Sequence, residues 1–216
     1  KGRLMSNEFL AGQHGYNAHD YSADSLANFF NKAAESGFEL NYEEELLKRI
    51  LIENGLLLAD GDLVKSAGGG IVSISQESPG WSRKNLLAHE GWHTIFFRDE
   101  EFRNFVSAVY YTCDALSRDF LIDFFKSQPT LGYDTTDEYL MHNEFMAYLM
   151  QQPVNEIAPY YMSRADWNSV KAFTPQRARY IKETAARGLE DAAIAMNDYV
   201  FGKYGITAGN ISLVSK

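Results

Sequence analysis

The sequence has few of the features that would place it in a specialised class of protein. Its single cysteine, Cys113, excludes an internal disulfide, and we predict that it is a buried thiol in a helix. Lysine and arginine total 20 against 29 aspartate and glutamate residues, and the net charge of -9 argues against a nucleic-acid-binding surface. No apolar run approaches the roughly 18 residues of a membrane-spanning helix, so we expect no membrane span.

The remaining composition is that of a globular protein. Hydrophobic residues make up 45% of the 216 residues, which is enough for a substantial core, and we expect one domain over residues 1–216. The chain begins at Lys1 and has no secretory signal, so we expect a processed or excised piece of a longer protein. An extracytoplasmic location is favoured, but the sequence assigns neither a compartment nor an oligomeric state.

Histidine is scarce too, yet two of the five histidines form the pattern His-Glu-x-x-His. His89 and His93 lie in an apolar, helix-compatible run, and residues four apart share one face of a helix. Both imidazoles can therefore bind one metal ion, as in the zinc site of a metallopeptidase. Glu90 lies to the side of that face, where it can accept a proton from a metal-activated water. A chance occurrence of the pattern would bury these three side chains without partners, which is costly.

A catalytic zinc site needs a third protein ligand, and two residues are candidates. Asp99 follows His93 at the offset used by metzincins, but those proteins have a glycine that turns the chain where this sequence has Phe96. A continuing helix would carry Asp99 about 9 Å along its axis, out of reach of the metal. Glu144 is the stronger candidate, because it lies on the apolar face of a predicted helix, where a carboxylate needs a metal or a buried partner.

These motifs resemble the gluzincin branch of the zincin metallopeptidases. In that branch the first helix carries His-Glu-x-x-His and the second carries the glutamate ligand, often within Asn-Glu-x-x-Ala, and the segment Asn-Glu-Phe-Met-Ala around Glu144 has this form. The resemblance covers positions 86 to 148. It implies that His89, His93 and Glu144 bind Zn²⁺ and that Glu90 is the general base.

One position departs from the thermolysin-like pattern. Those relatives have an aspartate four residues after the glutamate ligand, where it hydrogen-bonds a histidine of the first motif, whereas this chain has Tyr148. A phenol orients an imidazole less strongly than a carboxylate does. The residues that orient the two histidines are therefore open.

The reaction also needs a hydrogen-bond donor, besides the metal, for the developing oxyanion. Tyr133 is the candidate, because it precedes the second helix and could fold over the metal from a loop. Tyr139 and His142 lie on the second helix but point away from the face of Glu144.

His14 and His19 are five residues apart, which fits neither a helix face nor strand alternation, so we predict loop or surface histidines and no second metal.

Periodicity and end signals predict an α+β fold that is predominantly α, and the resemblance implies that it is zincin-like. Helices are predicted over residues 23–36, 42–54, 83–97, 100–126, 136–151, 164–173 and 175–201. A hairpin and a further strand predict a small sheet at 56–75, before the zinc helix at 83–97 and a helical lower half at 100–202. Three helix starts have predicted caps: Asn41 and Glu44 for the helix at 42–54, Ser82 for the zinc helix, and a capping box of Thr135 and Glu138 for the helix that carries Glu144. The resemblance also implies that residues 69–75 line the cleft and bind substrate by strand addition.

We therefore expect a zinc-dependent metallopeptidase that hydrolyses a peptide or protein substrate. Zinc would lower the pKa of its bound water to about 7, and Glu90 would carry the proton to the leaving nitrogen. Two alternatives stay open: a catalytically retired zincin that acts as a binding or scaffold module, and an unrelated helical domain in which the motif is fortuitous.

Overall fold

The structure is a computed structural model that describes residues 17–209. The fold is α+β and predominantly helical, as predicted. The strands are β1 (Ala18–Ser22), β2 (Leu57–Asp60), β3 (Leu63–Ser66) and β4 (Gly70–Ile74). The helices are α1 (Ala23–Ser36), α2 (Tyr42–Glu53), α3 (Gly80–Arg98), α4 (Glu100–Thr112), α5 (Ala115–Lys126), α6 (Glu138–Met150), α7 (Ile157–Ala165), α8 (Asn168–Phe173), α9 (Pro175–Glu183) and α10 (Arg187–Tyr204), with 3₁₀ turns at Pro129–Leu131 and Val154–Glu156. Over this part of the chain, no helix has the length and apolarity needed to cross a membrane.

The small sheet predicted at 56–75 is divided between two hairpin-like pairs. β2 and β3 pair with each other, whereas β4 pairs in antiparallel register with β1, a strand that the sequence analysis did not predict. Gly70 permits this pairing, because a Cβ atom at that position would lie 2.7 Å from the carbonyl oxygen of Tyr21. The prediction that His19 is a loop or surface histidine is therefore wrong, since it lies within β1; His14 falls outside the described residues.

Several predicted helices are correct in position but are interrupted. The helix predicted over 100–126 breaks at Cys113, which is half-buried at a helix end and not a buried thiol inside a helix. Asp114 starts the next helix by accepting a hydrogen bond from the backbone of Ser117. The helix predicted over 175–201 breaks where Ala185 and Ala186 adopt positive φ angles of 50° and 54°, and α7 and α8 replace the single helix predicted at 164–173.

The two predicted caps around the motif helices are also wrong. α3 begins at Gly80 after Pro79, so Ser82 lies inside the helix and makes no cap. The side chain of Asp137 caps α6 by accepting a hydrogen bond from the backbone N–H of Leu140, in place of the predicted capping box. An aspartate at this position satisfies one of the free N–H groups of the first turn.

The two motif helices are held together by the larger hydrophobic core. α3 contributes the buried rings of Trp92 and Phe96, and α6 contributes Phe145 and Leu149. The indole N–H of Trp92 donates to the carbonyl oxygen of Met150 over 2.8 Å, which fixes the position of one helix against the other. α3 also contacts β1 and β4, so it lies between the helical core and the β1–β4 pair.

Asp99 is a helix cap in this fold and not a metal ligand. Its side chain accepts hydrogen bonds from the backbone N–H of Phe102 and from the side chains of Lys203 and Tyr204. Burial favours the neutral acid, but the bonds from Lys203 and Tyr204 outweigh it and lower the pKa of Asp99 to about 2. The structure thus agrees with the prediction that Asp99 is a weaker candidate than Glu144 for the third metal ligand.

We expect Asp99→Ala to lower the free energy of unfolding by about 1 kcal/mol at neutral pH, because the cap of α4 is lost. The pKa of Asp99 is depressed in the folded state, so its contribution is complete above about pH 4 and is lost as the pH falls towards 2. Denaturant titrations of the parent and the variant at neutral pH and near pH 2 measure the difference. A difference that persists unchanged near pH 2 would show that the charge of Asp99 contributes nothing.

Candidate metal centre

The structure brings the three predicted metal ligands together in the interior. His89 Nε2 lies 3.5 Å from Glu144 Oε2, and His93 Nε2 lies 3.8 Å from Glu144 Oε1. One ligand atom from each residue lies within 4.8 Å of the other two. All three side chains are buried, with exposed fractions of 7% for His89, 1% for His93 and 6% for Glu144. The helix spacing of the first motif and the packing of α6 on α3 together produce this cluster.

Hydrogen bonds on the far side of each imidazole set its tautomer. His89 Nδ1 lies 3.0 Å from Gln151 Oε1, and His93 Nδ1 lies 2.8 Å from Asn143 Oδ1. An amide oxygen only accepts hydrogen bonds, so each Nδ1 must be the donor. A neutral imidazole then carries its lone pair on Nε2, which faces Glu144. Two such lone pairs beside a carboxylate need a positive charge between them.

The distances fit a metal ion at this place. Ligands about 2.0–2.1 Å from a tetrahedral ion lie roughly 3.3–3.4 Å from one another. The measured separations of 3.5 and 3.8 Å are within a few tenths of an ångström of that value. Glu144 Oε2 is also buried and has no hydrogen-bond partner within residues 17–209, which is costly for a carboxylate unless a cation satisfies it. The group could therefore hold a metal ion.

The pKa values of the three residues reflect the same convergence. Burial lowers the pKa of His89, but the nearby carboxylate of Glu144 favours the protonated ring and raises the pKa above 6.5 overall. Burial also disfavours ionised Glu144, yet the two histidines outweigh it and lower its pKa. The pKa of His93 is lowered by burial and then by the charge of His89. A single positive charge, on a proton or a metal ion, is what the cluster stabilises.

Glu90 lies beside this cluster and belongs to a second, overlapping group. Its carboxylate, the carboxylate of Asp20 and a ring nitrogen of His93 lie within 4.8 Å of one another. Burial is the main cause that raises the pKa of Glu90 to about 7, His89 opposes the shift, and Asp20 adds to it. Glu90 Oε2 is buried and has no hydrogen-bond partner among the described residues.

Asp20 is a residue of this candidate site that sequence reasoning missed. It lies on β1, and no motif contains it. Periodicity gives no signal for this strand, because the polar residues His19 and Asp20 are adjacent and strict polar and apolar alternation is absent.

A cavity of about 250 Å³ opens onto these side chains. Its walls are Ala18, His19, Asp20, His89, Glu90, His93, Thr130, Leu131, Tyr133 and Glu144. Tyr133 thus lies at the cavity wall, and its pKa is raised by burial and by the charge of Glu144, so it remains a neutral phenol that can donate. Tyr139 is exposed, and His142 Nδ1 lies 2.9 Å from Ser107 Oγ, so neither reaches the cavity.

The orienting partners of the histidines differ from those of the thermolysin-like pattern. Tyr148 packs its ring edge against His89, with centroids 4.9 Å apart and planes at 90°, and makes no hydrogen bond to it. Gln151 orients His89 instead, and its own amide group donates to Tyr160 over 3.3 Å. Asn143 of the second motif orients His93. Gln151 comes two helical turns after Glu144, so helix periodicity places it on the same face, and this was the available signal.

The strand that lines the cleft also differs from the expectation. The cavity is bounded by β1, whereas residues 69–75, which were expected to line it, lie on the far side of β1. Two backbone hydrogen bonds flank β1, one from Ser75 N to Asn17 O and one from Ala23 N to Gly69 O. In the antiparallel register they show that the odd-numbered residues of β1 bond to β4. In an antiparallel pair the alternate residues direct their backbone groups the other way. The N–H and C=O groups of Ala18 and Asp20 therefore point to the opposite edge.

Comparison with protein-family models, with curated proteins and with solved structures found no match for this chain.

Proposed function

We propose that the protein is a zinc-dependent metallopeptidase with a gluzincin-like ligand set. His89, His93 and Glu144 would hold the ion, and Glu90 would serve as the general base. The observation that supports this most strongly is the convergence of two oriented imidazole Nε2 atoms on the buried carboxylate of Glu144, whose Oε2 atom has no hydrogen-bond partner among the described residues. Two histidines and one carboxylate are the ligand set of catalytic zinc sites that leave one position open.

The residues around the ion divide the remaining work. Zinc, when bound, supplies a Lewis acid that polarises a carbonyl and acidifies water. Glu90 lines the cavity and its carboxylate has an oxygen without a hydrogen-bond partner among the described residues, so it can take a proton from the attacking water and return it to the leaving nitrogen. Gln151 and Asn143 keep the imidazole rings in the metal-binding orientation.

Tyr133 donates a hydrogen bond to the oxyanion of the transition state in this proposal. We expect Tyr133→Phe to lower kcat by about 10²-fold, because one oxyanion donor is lost, with little change in metal content. Steady-state kinetics on a cleaved peptide measure this, with Tyr139→Phe on the exposed side of α6 as the matched control. An unchanged kcat in Tyr133→Phe would remove this residue from the reaction.

The substrate peptide would lie along β1. The outward backbone groups of Ala18 and Asp20 are the groups that a peptide strand needs in order to extend a sheet. Because the same two residues line the cavity, a peptide paired with them passes the candidate metal ligands.

The experiment that tests the proposal is elemental analysis of protein purified without chelator, followed by a peptide-cleavage assay. We expect close to one zinc per chain, loss of cleavage when a chelator removes the metal, and recovery when zinc is restored. Protein that binds no metal even after zinc is supplied would overturn the proposal. Metal binding without cleavage of any peptide would overturn the peptidase assignment and leave only the metal site.

The partners of the histidines give a graded test. We expect Gln151→Ala and Asn143→Ala each to weaken zinc binding by about 10–100-fold, because an unheld imidazole must be ordered when the metal binds. Competition with a chromophoric chelator measures the affinity. Gln152→Ala is the matched control, since the Gln152 side chain donates to Asn85 and touches neither histidine. Equal affinities in Gln151→Ala and Gln152→Ala would exclude Gln151 as an orienting residue.

A further inference from the structure

Asp20 has no positively charged partner in the part of the chain that the structure describes. No ion pair among residues 17–209 includes it, and a carboxylate oxygen of Glu90 and a ring nitrogen of His93 lie within 4.8 Å of its carboxylate. Two carboxylates in contact repel each other unless a proton or a cation lies with them. The position therefore needs a positive charge.

The described residues supply the cavity with no permanent positive charge for this purpose. Among residues 17–209, its walls contain the carboxylates of Asp20, Glu90 and Glu144 but no lysine or arginine. A divalent ion at the candidate centre balances two carboxylates, Glu144 and Glu90. Asp20 is a third carboxylate at the same cavity. With a divalent ion bound, it leaves the cavity with a net negative charge, which attracts a cation.

A second, independent observation indicates that the missing group belongs in the cavity. Glu90 lines the cavity and is 6% exposed, and its buried Oε2 atom has no hydrogen-bond partner among the described residues. A buried carboxylate oxygen in that state is one that a ligand satisfies. Asp20 and Glu90 thus face the same unfilled space from β1 and α3.

A second metal ion is not the group that fills it. The Asp20, Glu90 and His93 group shares its imidazole with the His89, His93 and Glu144 group. His93 Nδ1 is engaged by Asn143, so only the Nε2 lone pair remains, and one lone pair binds one ion. In the metal-loaded site, a cationic group of the substrate is therefore the cation that fits the space near Asp20.

We propose that Asp20 is a specificity-determining residue that binds a cationic nitrogen of the substrate beside the scissile bond. This inference rests on the proposed peptidase function. The nitrogen is either a free α-amino group or the side chain of a lysine or arginine, because both present N–H donors with a positive charge to a carboxylate. Asp20 is well placed for this role, since its backbone lies on the edge of β1 that the peptide would pair with.

The first test compares the zinc-loaded parent, Asp20→Asn, Asp20→Glu and Asp24→Asn on one mixture of synthetic peptides, with cleaved bonds read by mass spectrometry. For the parent we expect cleavage next to a free amino terminus or a basic residue, and a loss of this preference by at least about tenfold in Asp20→Asn. Asp20→Glu restores part of the preference, and Asp24→Asn, an equal charge change on the exposed face of α1, leaves it intact. Cleavage that rises in Asp20→Asn for every peptide alike would overturn the proposal and identify Asp20 as an inhibitory residue.

The second test measures binding without turnover. Amino-acid hydroxamates anchor to the metal, so calorimetry compares acetyl-arginine, acetyl-citrulline and free-amine citrulline hydroxamates on the zinc-loaded parent and on Asp20→Asn. Acetyl-arginine hydroxamate and free-amine citrulline hydroxamate each carry a cationic nitrogen. We expect one of them to bind the parent at least about tenfold more tightly than acetyl-citrulline hydroxamate does, and to lose this advantage in Asp20→Asn. The form that gains affinity identifies the nitrogen as α-amino or side-chain. Equal binding of all three to the parent overturns only the role of Asp20, whereas failure of all three to bind overturns the metal site as well. Zinc content near one per chain in Asp20→Asn shows that the variant is folded.

Discussion

Replacing Glu90 by glutamine is expected to lower kcat for peptide cleavage by about 10²–10⁴-fold while leaving bound zinc nearly unchanged. Glutamine has almost the same shape as glutamate, so the packing of α3 is preserved. It cannot take a proton from water, however, and the free Oε2 acceptor of Glu90 is what the mechanism uses. Glu90 does not belong to the His89, His93 and Glu144 group, so the metal keeps all its proposed ligands.

Two measurements on the same preparation check this expectation. Elemental analysis gives the metal content, and steady-state kinetics on a cleaved peptide give kcat. Glu100→Gln is the matched control, because Glu100 is exposed in the first turn of α4 and is remote from the cavity. Full activity in Glu90→Gln would exclude Glu90 as the general base, and loss of zinc together with activity would make it a ligand instead.

The sequence predicted helix bounds best where the helix ends carry clear capping or terminating residues. α1 has the predicted bounds, 23–36: in the structure Ser22 caps its start, and Gly37, with a φ of 66°, ends it in the left-handed conformation. The metal cluster was predicted because helix periodicity relates His89 to His93, and because an apolar face around Glu144 requires packing against another element. The first of these signals lies within one helix. The second predicts a long-range contact, because the apolar face around Glu144 must be buried against another element.

The features that were missed depend on contacts between distant parts of the chain. β1 exists because it pairs with β4, some 50 residues later, and five residues of mixed polarity do not reveal that partner. The break at Ala185 and Ala186 contains neither glycine nor proline, so propensity predicted a continuous helix where packing of α9 and α10 imposes a turn. Asp20 entered the site only through β1, and no pattern in the sequence could have placed it beside Glu90.

Replacing Glu144 by alanine is expected to weaken zinc binding by more than about 100-fold, because one of the three proposed ligands is lost. Loss of an outer partner alone costs about 10–100-fold, and this change removes a direct ligand. Alanine is a strong helix former, so α6 should persist and the core around Phe145 should stay packed. The circular dichroism spectrum of the variant is therefore expected to match that of the parent.

This variant also decides between the two overlapping groups that share His93. If the metal binds to His89, His93 and Glu144, zinc is lost in Glu144→Ala and kept in Asp20→Asn; if it binds to Asp20, Glu90 and His93, the opposite result is expected. The geometry favours the first group, because both imidazole Nε2 atoms face Glu144 and both Nδ1 atoms are held by amide oxygens. Asp99→Ala is the control for a carboxylate that lies next to the motif in sequence but is engaged by Lys203. Zinc retained at one per chain in folded Glu144→Ala would contradict the gluzincin-like ligand set, and with it the proposed mechanism.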